Sequence, residues 1–336
     1  MKIGVIGCGY WGPNLIRNCH ELDGVSVTGV CDIRENRLQF ISRQYPSLQL
    51  LTTSADEVIQ SAITDAIIVS TPVSTHYELG QQVLKAGKHL LLEKPFTSTV
   101  DEAKKLIDTA DKAGLCLMVD HTFVYTGAVK KIKELIDSGE LGQLYYFDST
   151  RVNLGLFQHD VNVVWDLAPH DVSIMDYLLG QIPRAIAATG MAHFDNRIEN
   201  MAYISAYYDN NLLGHIHVNW LAPVKVRKTL ISGSKKMVIY DDMEPSEKVK
   251  VYDRGVDISQ DKEQIYRLLV QYRTGDMLAP NLDLTEALKG VSREFVTSIR
   301  EPRAPLTGGE AGLRVVRILE AANRSMRRNG ELVKLG

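Results

Sequence analysis

A glycine-rich segment near the start of the chain has the spacing that binds a dinucleotide. Gly7, Gly9 and Gly12 form a G-x-G-x-x-G pattern between a short apolar run and an amphipathic stretch. Gly7 permits a tight turn, Gly9 lets the backbone approach a pyrophosphate, and Gly12 allows close helix packing. The helix that follows offers free amide donors and a positive dipole end. We therefore predict a cofactor site here that includes Tyr10 and Trp11, with a ligand-free glycine turn as the alternative.

A carboxylate placed 20 positions after Gly12 bears on which dinucleotide binds. Asp32 follows the second predicted strand, where it can accept hydrogen bonds from the adenosine ribose hydroxyls. The 2′-phosphate of NADP would face this negative charge, so the sequence favours NAD over NADP. Arg34 weakens that discrimination because its guanidinium could bind the 2′-phosphate. We also predict that Ile33, between Asp32 and Arg34 in the sequence, contacts the cofactor. A plain turn residue is the alternative for Asp32.

A lysine held before a proline could bind the reacting oxygen. Glu93, Lys94 and Pro95 follow a predicted strand, at the edge where an open α/β sheet binds its ligands. Because proline disfavours helical backbone in the residue before it, we expect Lys94 to be extended. Its ammonium can then stabilise negative charge that develops on an oxygen beside a nicotinamide. An ordinary loop is the alternative.

An aspartate and a histidine four positions apart could perform acid/base chemistry. The pattern predicts a helix from Pro169 to Leu179, which puts His170 in the first turn. The helix dipole there favours the neutral imidazole that a general base needs. Asp166 can orient the substrate hydroxyl or the histidine. Capping or core roles are the alternatives, and we predict no metal because no third ligand is suggested.

These side chains must be positioned by two differently built parts of the chain. Strand and helix patterns alternate as far as residue 122, which predicts a parallel sheet wound on both faces. A helix near 127–138, a long strand at 143–151 and several shorter strand-like runs follow, which predicts a mostly antiparallel open sheet with helices on one side. We predict a doubly wound α/β domain at 1–122 that binds a dinucleotide and an α+β domain at 123–336 for substrate binding and oligomerisation, with the last helix able to pack back on the first domain.

Size and charge narrow the possible functions. The 336 residues suffice for two domains, and a net charge of −3 gives no reason to expect nucleic acid or an anionic membrane as a partner. No apolar run could cross a bilayer, and the N-terminus leaves no room for a signal peptide, so we expect a soluble cytoplasmic protein. Four cysteines without a C-x-x-C spacing fit small core residues in a reducing compartment. An open sheet face needs cover, which predicts a homodimer or homotetramer.

Taken together, the motifs resemble the Gfo/Idh/MocA family of sugar and cyclitol oxidoreductases. The resemblance covers nearly the whole chain in order and spacing. It implies a Rossmann domain followed by an α/β domain whose large open sheet is often used for oligomerisation. It also implies that Lys94, Asp166 and His170 are catalytic, with His170 as the acid/base. The further cofactor-site positions that it implies are Ser70, Thr71, Pro72, His76 and Glu93.

Two further segments, residues 120–125 and 151–171, resemble a branch of that family found beside polysaccharide and nucleotide-sugar pathways, and residues 220–227 complete the pattern. Lys225 and Arg227 alternate along a predicted strand, so both can meet a carboxylate or diphosphate, or form a solvated strand face. The substrate-binding positions that we predict are His121, Arg151, Asn153, Trp165, Lys225 and Arg227.

The reaction that these residues imply is hydride transfer between a small-molecule substrate and NAD. We expect oxidation of a ring hydroxyl, for example at the 3-position of a UDP-linked amino sugar or its uronic acid. A cyclitol (inositol-type) dehydrogenase, an NAD-dependent glycosidase and an NAD-binding sensor without turnover are the alternatives.

Overall fold

The chain divides into two compact units, which are described separately. The computed structural model describes residues 1–155, 160–194, 198–258 and 270–335. The first unit comprises Met1–Tyr125 with Thr285–Glu320, and the second comprises Thr126–Leu284 with Ala321–Gly336. The chain thus passes from the first unit to the second near the predicted boundary at 122, but it later returns. The predicted second domain, 123–336, is therefore divided between the two units.

The first unit is built on a six-stranded parallel sheet. Its strands are β1 (Lys2–Ile6), β2 (Ser26–Cys31), β3 (Leu50–Thr52), β4 (Ala66–Val69), β5 (His89–Glu93) and β6 (Leu117–Asp120). They lie in the order β3-β2-β1-β4-β5-β6, and every neighbouring pair is parallel. The strand order reverses between β1 and β4, so a crevice opens at their carboxyl ends, where such sheets bind ligands. This doubly wound sheet confirms the predicted fold class.

Helices connect these strands. They are α1 (Gly12–His20), α2 (Glu35–Gln44), α3 (Ala55–Gln60), α4 (His76–Lys85) and α5 (Val100–Ala113). The start of α5 shows how the sequence begins a helix. Thr99 and Glu102 form a capping box, in which the side chain of each accepts a hydrogen bond from the backbone N–H of the other. Strand β3 and helix α3 were not predicted, since three and six residues are too short to show a clear periodicity.

The second unit is built on a nine-stranded sheet. Its strands are β7 (Leu144–Leu154), β8 (Ala185–Met191), β9 (Met201–Tyr207), β10 (Leu213–Asn219), β11 (Leu221–Gly233), β12 (Met237–Asp241), β13 (Val249–Ile258), β14 (Val270–Leu278) and β15 (Val333–Lys334). The order is β14-β13-β12-β11-β7-β10-β9-β8-β15. Only the pair of β7 and β10 is parallel among the pairings of this sheet. The prediction of a mostly antiparallel open sheet is confirmed, although β13, β14 and β15 were not foreseen.

In the described part of the second unit, the helices that lie wholly within it are α6 (Gly127–Asp137) and α7 (Val163–Leu179). The prediction that the second of these starts at Pro169 is wrong. Asn162 caps the helix by accepting a hydrogen bond from the Trp165 N–H at 3.2 Å, and Pro169 lies inside the helix. A proline inside a helix removes one amide from the ladder and crowds the preceding turn, and the extensive burial of apolar residues along this helix offsets that cost. His170 is therefore well inside α7, and the expected effect of the helix dipole does not apply to it.

The chain then returns to the first unit with α8 (Ala287–Arg300) and the greater part of α9 (Gly309–Met326). Arg17 on α1 holds the residue before α8 through a two-point ion pair with Glu286, at 2.7 and 2.9 Å. Gly312 on α9 lets that helix approach Phe96 and Val119, where a Cβ would meet side-chain atoms within 2.9 Å. Helix α9 belongs to the first unit as far as Glu320.

None of the helices in the described ranges combines the length with the apolar character that a membrane span requires.

Candidate active site

The glycine loop after β1 has the geometry that a dinucleotide needs. Gly7 has a φ of +97°, and a Cβ there would clash with the Ser70 carbonyl oxygen. A Cβ on Gly12 would clash with the carbonyl oxygen of Gly7. On Gly9, by contrast, the nearest atom to an added Cβ would be Arg34 Nη2 at 3.9 Å. Gly7 and Gly12 are thus required by the protein itself, whereas Gly9 keeps an open space where a pyrophosphate can lie against the backbone.

Helix α1 begins at this loop without a side-chain cap. Trp11 occupies the N-cap position and makes no capping hydrogen bond, and proline follows within the first turn. The Asn14 N–H donates to the Trp11 carbonyl oxygen at 2.9 Å, which leaves the positive end of the dipole at the start of the helix to attract a phosphate. These residues fit the pyrophosphate of NAD.

Asp32 follows β2 and is nearly buried beside the loop. Its carboxylate accepts hydrogen bonds from the Cys8 N–H at 2.7 Å and the Arg34 N–H at 2.9 Å, and Arg34 Nε lies 3.2 Å away. Burial alone would raise the pKa of Asp32, but the hydrogen bonds from Arg34 and Cys8 outweigh it and lower the pKa below its ordinary value. Asp32 is therefore a fixed negative charge, as binding of a ribose diol requires, and half-exposed Arg34 partly neutralises it.

The apolar residues predicted at the cofactor site are exposed. Tyr10, Trp11 and Ile33 expose 80%, 39% and 86% of their surface, and the two aromatic rings meet edge to face with centroids 5.1 Å apart. Large apolar side chains this exposed are uncommon on a surface that binds nothing. They suit contact with the flat faces of a base or a nicotinamide.

His76 is buried between two loops at the carboxyl edge of the sheet. Its ring is fully buried, with Nδ1 2.9 Å from the Pro95 carbonyl oxygen and Nε2 2.9 Å from the Thr71 carbonyl oxygen. Burial lowers the pKa of His76, although the carbonyl contacts oppose the shift. The ring therefore joins the loop after β4 to the loop after β5, and its predicted part in the cofactor site stays a prediction. Ser70 and Thr71 remain partly exposed beside it, and Pro72 is exposed.

Lys94 lies directly after β5, at the carboxyl edge of the sheet. Its backbone N–H donates to Glu93 Oε2 at 3.0 Å, and the Lys94–Pro95 peptide bond is cis. Glu93, which was predicted to bind the cofactor, is only 7% exposed and lies next to Asp120 of the neighbouring strand. The structure therefore gives Lys94 a partly exposed position at the ligand-binding edge and places Glu93 beneath the surface.

The predicted acid/base pair lies on α7 of the second unit. Asp166 and His170 are four residues apart in one helix, so they share a face. The indole N–H of Trp220 donates to Asp166 Oδ2 at 3.0 Å, and Trp220 is 1% exposed. The His170 carbonyl oxygen accepts a hydrogen bond from the Ser173 hydroxyl at 2.8 Å. Both catalytic candidates are partly exposed, and their backbone is held firmly.

Arg151 is held beneath that helix. Its Nε lies 2.5 Å from Asp171 Oδ2, and Asp171 Oδ1 also accepts the Ser149 hydroxyl at 2.7 Å. Arg151 and Asp171 are 5% and 2% exposed. The ion pair joins β7 to α7, and the predicted role of Arg151 in substrate binding stays a prediction.

The other predicted substrate residues are distributed over both units. His121 in the first unit is 1% exposed, and in the second unit Trp165 is buried while Asn153 is partly exposed. Lys225 is exposed, whereas Arg227 is partly covered and forms an ion pair with Asp242 at 3.2 Å.

The strand that carries the two cations is irregular. Leu221 of β11 pairs with Leu154 of β7, but the next paired residue is Val226, opposite Val152. Four residues of β11, Lys225 among them, are therefore looped out of the pairing with β7. That Lys225 and Arg227 point to one face of the strand stays a prediction.

Sequence reasoning missed three residues that support the site. Trp220 anchors Asp166 from 54 positions away, Asp171 holds Arg151, and Asp120 lies against Glu93. No local pattern reports such partners, although each is a polar group next to a predicted site residue or at a strand end. Within the described ranges, no three His, Cys, Asp or Glu side chains come close enough to hold a metal ion.

The fold and the site define an oxidoreductase with an NAD-binding Rossmann domain. Residues 1–121 match the family model described as "Oxidoreductase family, NAD-binding Rossmann fold", and residues 129–239 match the "GFO/IDH/MocA C-terminal domain". The chain belongs to the Gfo/Idh/MocA family, as the motifs predicted.

Several known proteins are similar over the full length. The scyllo-inositol 2-dehydrogenase (NADP(+)) of Bacillus subtilis is 26% identical, over 97% of this chain and 93% of that protein. The structure of UDP-N-acetylglucosamine 3-dehydrogenase from Acidithiobacillus ferrooxidans has a TM-score of 0.79 and 23% identity, covering 98% of both chains. The WlbA dehydrogenase of Bordetella pertussis in complex with NADH and UDP-GlcNAcA has a TM-score of 0.81 and 19% identity, covering 100% and 99%. At these identities the structural comparisons establish the fold.

Proposed function

We propose that this chain is an NAD-dependent dehydrogenase that oxidises a ring hydroxyl of a nucleotide sugar. The observation that carries the reaction class is the pair on α7, in which Trp220 fixes the Asp166 carboxylate one turn from a partly exposed His170. NAD supplies the hydride acceptor when it is bound. His170 removes the hydroxyl proton, Asp166 orients the hydroxyl or the imidazole, and Lys94 binds the oxygen as it becomes a carbonyl.

The nucleotide part of the proposal rests on exposed cationic and apolar groups. Lys225 and Val224 are both exposed in the looped-out part of β11, and Val224 exposes 61% of its surface. An ammonium beside an apolar side chain suits a diphosphate with an attached base. The names of two similar structures, a UDP-N-acetylglucosamine 3-dehydrogenase and a dehydrogenase bound to UDP-GlcNAcA, support an amino sugar or its uronic acid, with the 3-position as the oxidised carbon.

A second candidate is a cyclitol dehydrogenase. The scyllo-inositol dehydrogenase of Bacillus subtilis is similar over nearly the full length. A cyclitol has no diphosphate, so this candidate gives Lys225 no role in binding.

A screen for NADH formation separates these candidates. We expect NADH absorbance with UDP-N-acetylglucosamine or its uronic acid, and little with free inositols. Lys225→Ala should raise KM for the nucleotide sugar about tenfold, the loss of one charge-assisted contact. The control is Lys228→Ala. Lys228 lies on β11, like Lys225, but its ammonium is paired with Asp241 of β12. Activity on inositol alone would replace the nucleotide-sugar assignment, and sugar release without net NADH would indicate a glycosidase.

The catalytic roles need a separate test. His170→Ala and Lys94→Ala should each lower kcat by about 10²–10⁴-fold, the usual contribution of an acid/base group. NAD binding, followed by fluorescence titration, should persist in both variants. Turnover that stays nearly intact in either variant would remove that residue from the mechanism.

Self-association is also part of the proposal. In the second unit, buried Ala202, Ile204 and Ala206 alternate with exposed Tyr203 and Tyr207 along β9. One face of the sheet therefore carries exposed aromatic side chains, and a second copy of the chain could cover them. We expect a homodimer or homotetramer by light scattering, and a monomer would contradict this part.

The proposal also includes a location in the cytoplasm. The four cysteines are free thiols, three of them buried, and burial raises the pKa of Cys8 to about 12. Unreactive thiols of this kind suit the reducing cytoplasm.

A further inference from the structure

Two acidic side chains are buried against each other at the ends of β5 and β6. Glu93 and Asp120 are direct neighbours in the register of these parallel strands, and they are 7% and 1% exposed. Asp120 Oδ2 is buried and receives no hydrogen bond from the described residues. Two ionised carboxylates have no proton to donate, so Glu93 could satisfy this oxygen only with a protonated carboxyl group.

The contacts of the pair indicate which group carries the proton. Glu93 Oε2 accepts the Lys94 backbone N–H at 3.0 Å, and Asp120 Oδ1 accepts the Thr122 hydroxyl at 2.6 Å. This leaves Asp120 Oδ2 as the oxygen without a donor in the described part of the chain. A protonated Glu93 satisfies this oxygen by donating to it.

Lys94 carries the positive charge that acts on the pair. Its ammonium lowers the pKa of both carboxyl groups. His121 is also buried beside Lys94, and burial, Lys94 and Arg314 lower its pKa to about 3, so it is neutral. Burial raises the pKa of Asp120 to about 6, and burial together with Asp120 raises the pKa of Glu93 well above its ordinary value. A second negative charge would therefore stand unbalanced in a site of low dielectric.

We propose that Glu93 and Asp120 share one proton at neutral pH and present a single negative charge that positions the Lys94 ammonium. The two carboxyl groups are positioning residues, since they act on the substrate oxygen only through Lys94. The role in catalysis rests on the proposed function, but the shared proton does not.

Infrared spectroscopy of the whole protein tests the proton directly. At pH 7 the wild type should show the carbonyl band of a buried protonated carboxylic acid. Glu93→Gln and Asp120→Asn should each lose it, because an amide then supplies the hydrogen bond and the remaining carboxyl ionises. Glu102→Gln is the matched control, since Glu102 also accepts backbone N–H bonds, at 3.1 Å, but belongs to the capping box of α5. A band that is absent from the wild type, or that persists in both single variants, would overturn the proposal.

The pH dependence of stability gives a second readout. A carboxyl group whose folded pKa is raised contributes stability that is fully present below its unfolded pKa and is lost as pH rises through the folded pKa. The Tm of the wild type should therefore fall relative to Glu93→Gln and Asp120→Asn as pH rises from about 5 to about 8. Glu102→Gln should follow the wild type. A constant Tm difference across this range would contradict a shared proton.

The double variant tests the positioning role. Each single variant keeps one ionised carboxylate near Lys94. The double variant Glu93→Gln with Asp120→Asn has no carboxyl group at either position and therefore no negative charge there. We expect the double variant to lower kcat about tenfold more than the product of the single effects, as in one coupled charge network. Multiplicative effects would overturn the positioning role. The infrared and Tm measurements need no substrate, so the shared proton can be confirmed even if no sugar is oxidised, and in that case only the proposed function fails.

Discussion

Trp220 donates its indole N–H to Asp166 Oδ2 at 3.0 Å. Trp220 lies between β10 and β11, two inner strands of the large sheet, and Asp166 lies on α7, so the bond joins the end of these strands to the helix with the predicted acid/base pair. Since the indole can donate but not accept, it stabilises the ionised carboxylate and fixes its orientation. The reach of Asp166 toward a substrate is therefore set by a residue that is itself buried.

Removal of that donor should impair catalysis more than folding. Trp220→Phe keeps most of the apolar surface but removes the N–H, so we expect kcat/KM to fall about tenfold, the equivalent of one hydrogen bond to a charged group. Asp166→Asn keeps an acceptor for Trp220 and removes the charge, so its loss should be larger. Steady-state kinetics with the best substrate of the screen, together with Tm measurements, checks this. Wild-type kinetics in Trp220→Phe would show that Asp166 needs no anchor.

Two glycines of the same loop should respond differently to alanine. A Cβ on Gly9 meets only Arg34 Nη2 at 3.9 Å, so Gly9→Ala should fold normally, yet weaken NAD binding about tenfold or more because the methyl group occupies the space for the pyrophosphate. Gly7→Ala should lower Tm instead, because Gly7 has a φ of +97°. Calorimetric NAD titration and thermal unfolding distinguish the two. Equal NAD affinity of wild type and Gly9→Ala would place the pyrophosphate elsewhere.

The buried ion pair beneath α7 should be needed as a pair. Arg151→Met leaves the Asp171 carboxylate buried with the Ser149 hydroxyl as a remaining donor. We expect a loss of about 3–5 kcal/mol in the free energy of unfolding of the second unit, the usual result of breaking such a pair. Adding Asp171→Asn should recover part of this loss, because the uncompensated charge disappears. Thermal unfolding monitored by calorimetry measures the stability of the single and the double variant. A double variant no more stable than Arg151→Met would contradict the explanation.

The ion pair that secures α8 should lose its effect in acid. Hydrogen bonds from Arg17 lower the pKa of Glu286, despite some burial. A carboxylate with a depressed folded pKa contributes stability above its unfolded pKa, and this is lost as pH falls through the folded pKa. Since both side chains are more than 40% exposed, we expect Arg17→Met to cost less than about 1 kcal/mol at pH 7.

That small cost should disappear as pH falls below the ordinary glutamate value of about 4.3. The control is Lys112→Met, which removes an exposed pair with Asp108 on α5 and does not involve α8. Urea titrations at several pH values measure the difference. A cost that grows in acid would show that Arg17 acts by other contacts.

Much of the first unit could be predicted from the sequence because its signals are local. The glycine pattern lies directly between β1 and α1, and Asp32 follows β2 at the expected position. Buried parallel strands are short apolar runs, and the helices between them show clear periodicity. The shortest elements, β3 and α3, lacked this signal. The start of α7 was misplaced because Pro169 resembles a helix start, while the true cap is Asn162.

The sequence by itself determined the class of fold, the cofactor loop and the identity of the catalytic candidates. Local sterics, apolar periodicity and capping act within a few residues and can therefore be read along the chain. Only the tertiary structure decided which partner each polar group has: Trp220 for Asp166, Asp171 for Arg151 and Asp120 for Glu93. Those choices depend on the packing of strands and helices that are distant in sequence, and burial makes an unpaired polar group costly enough to enforce them.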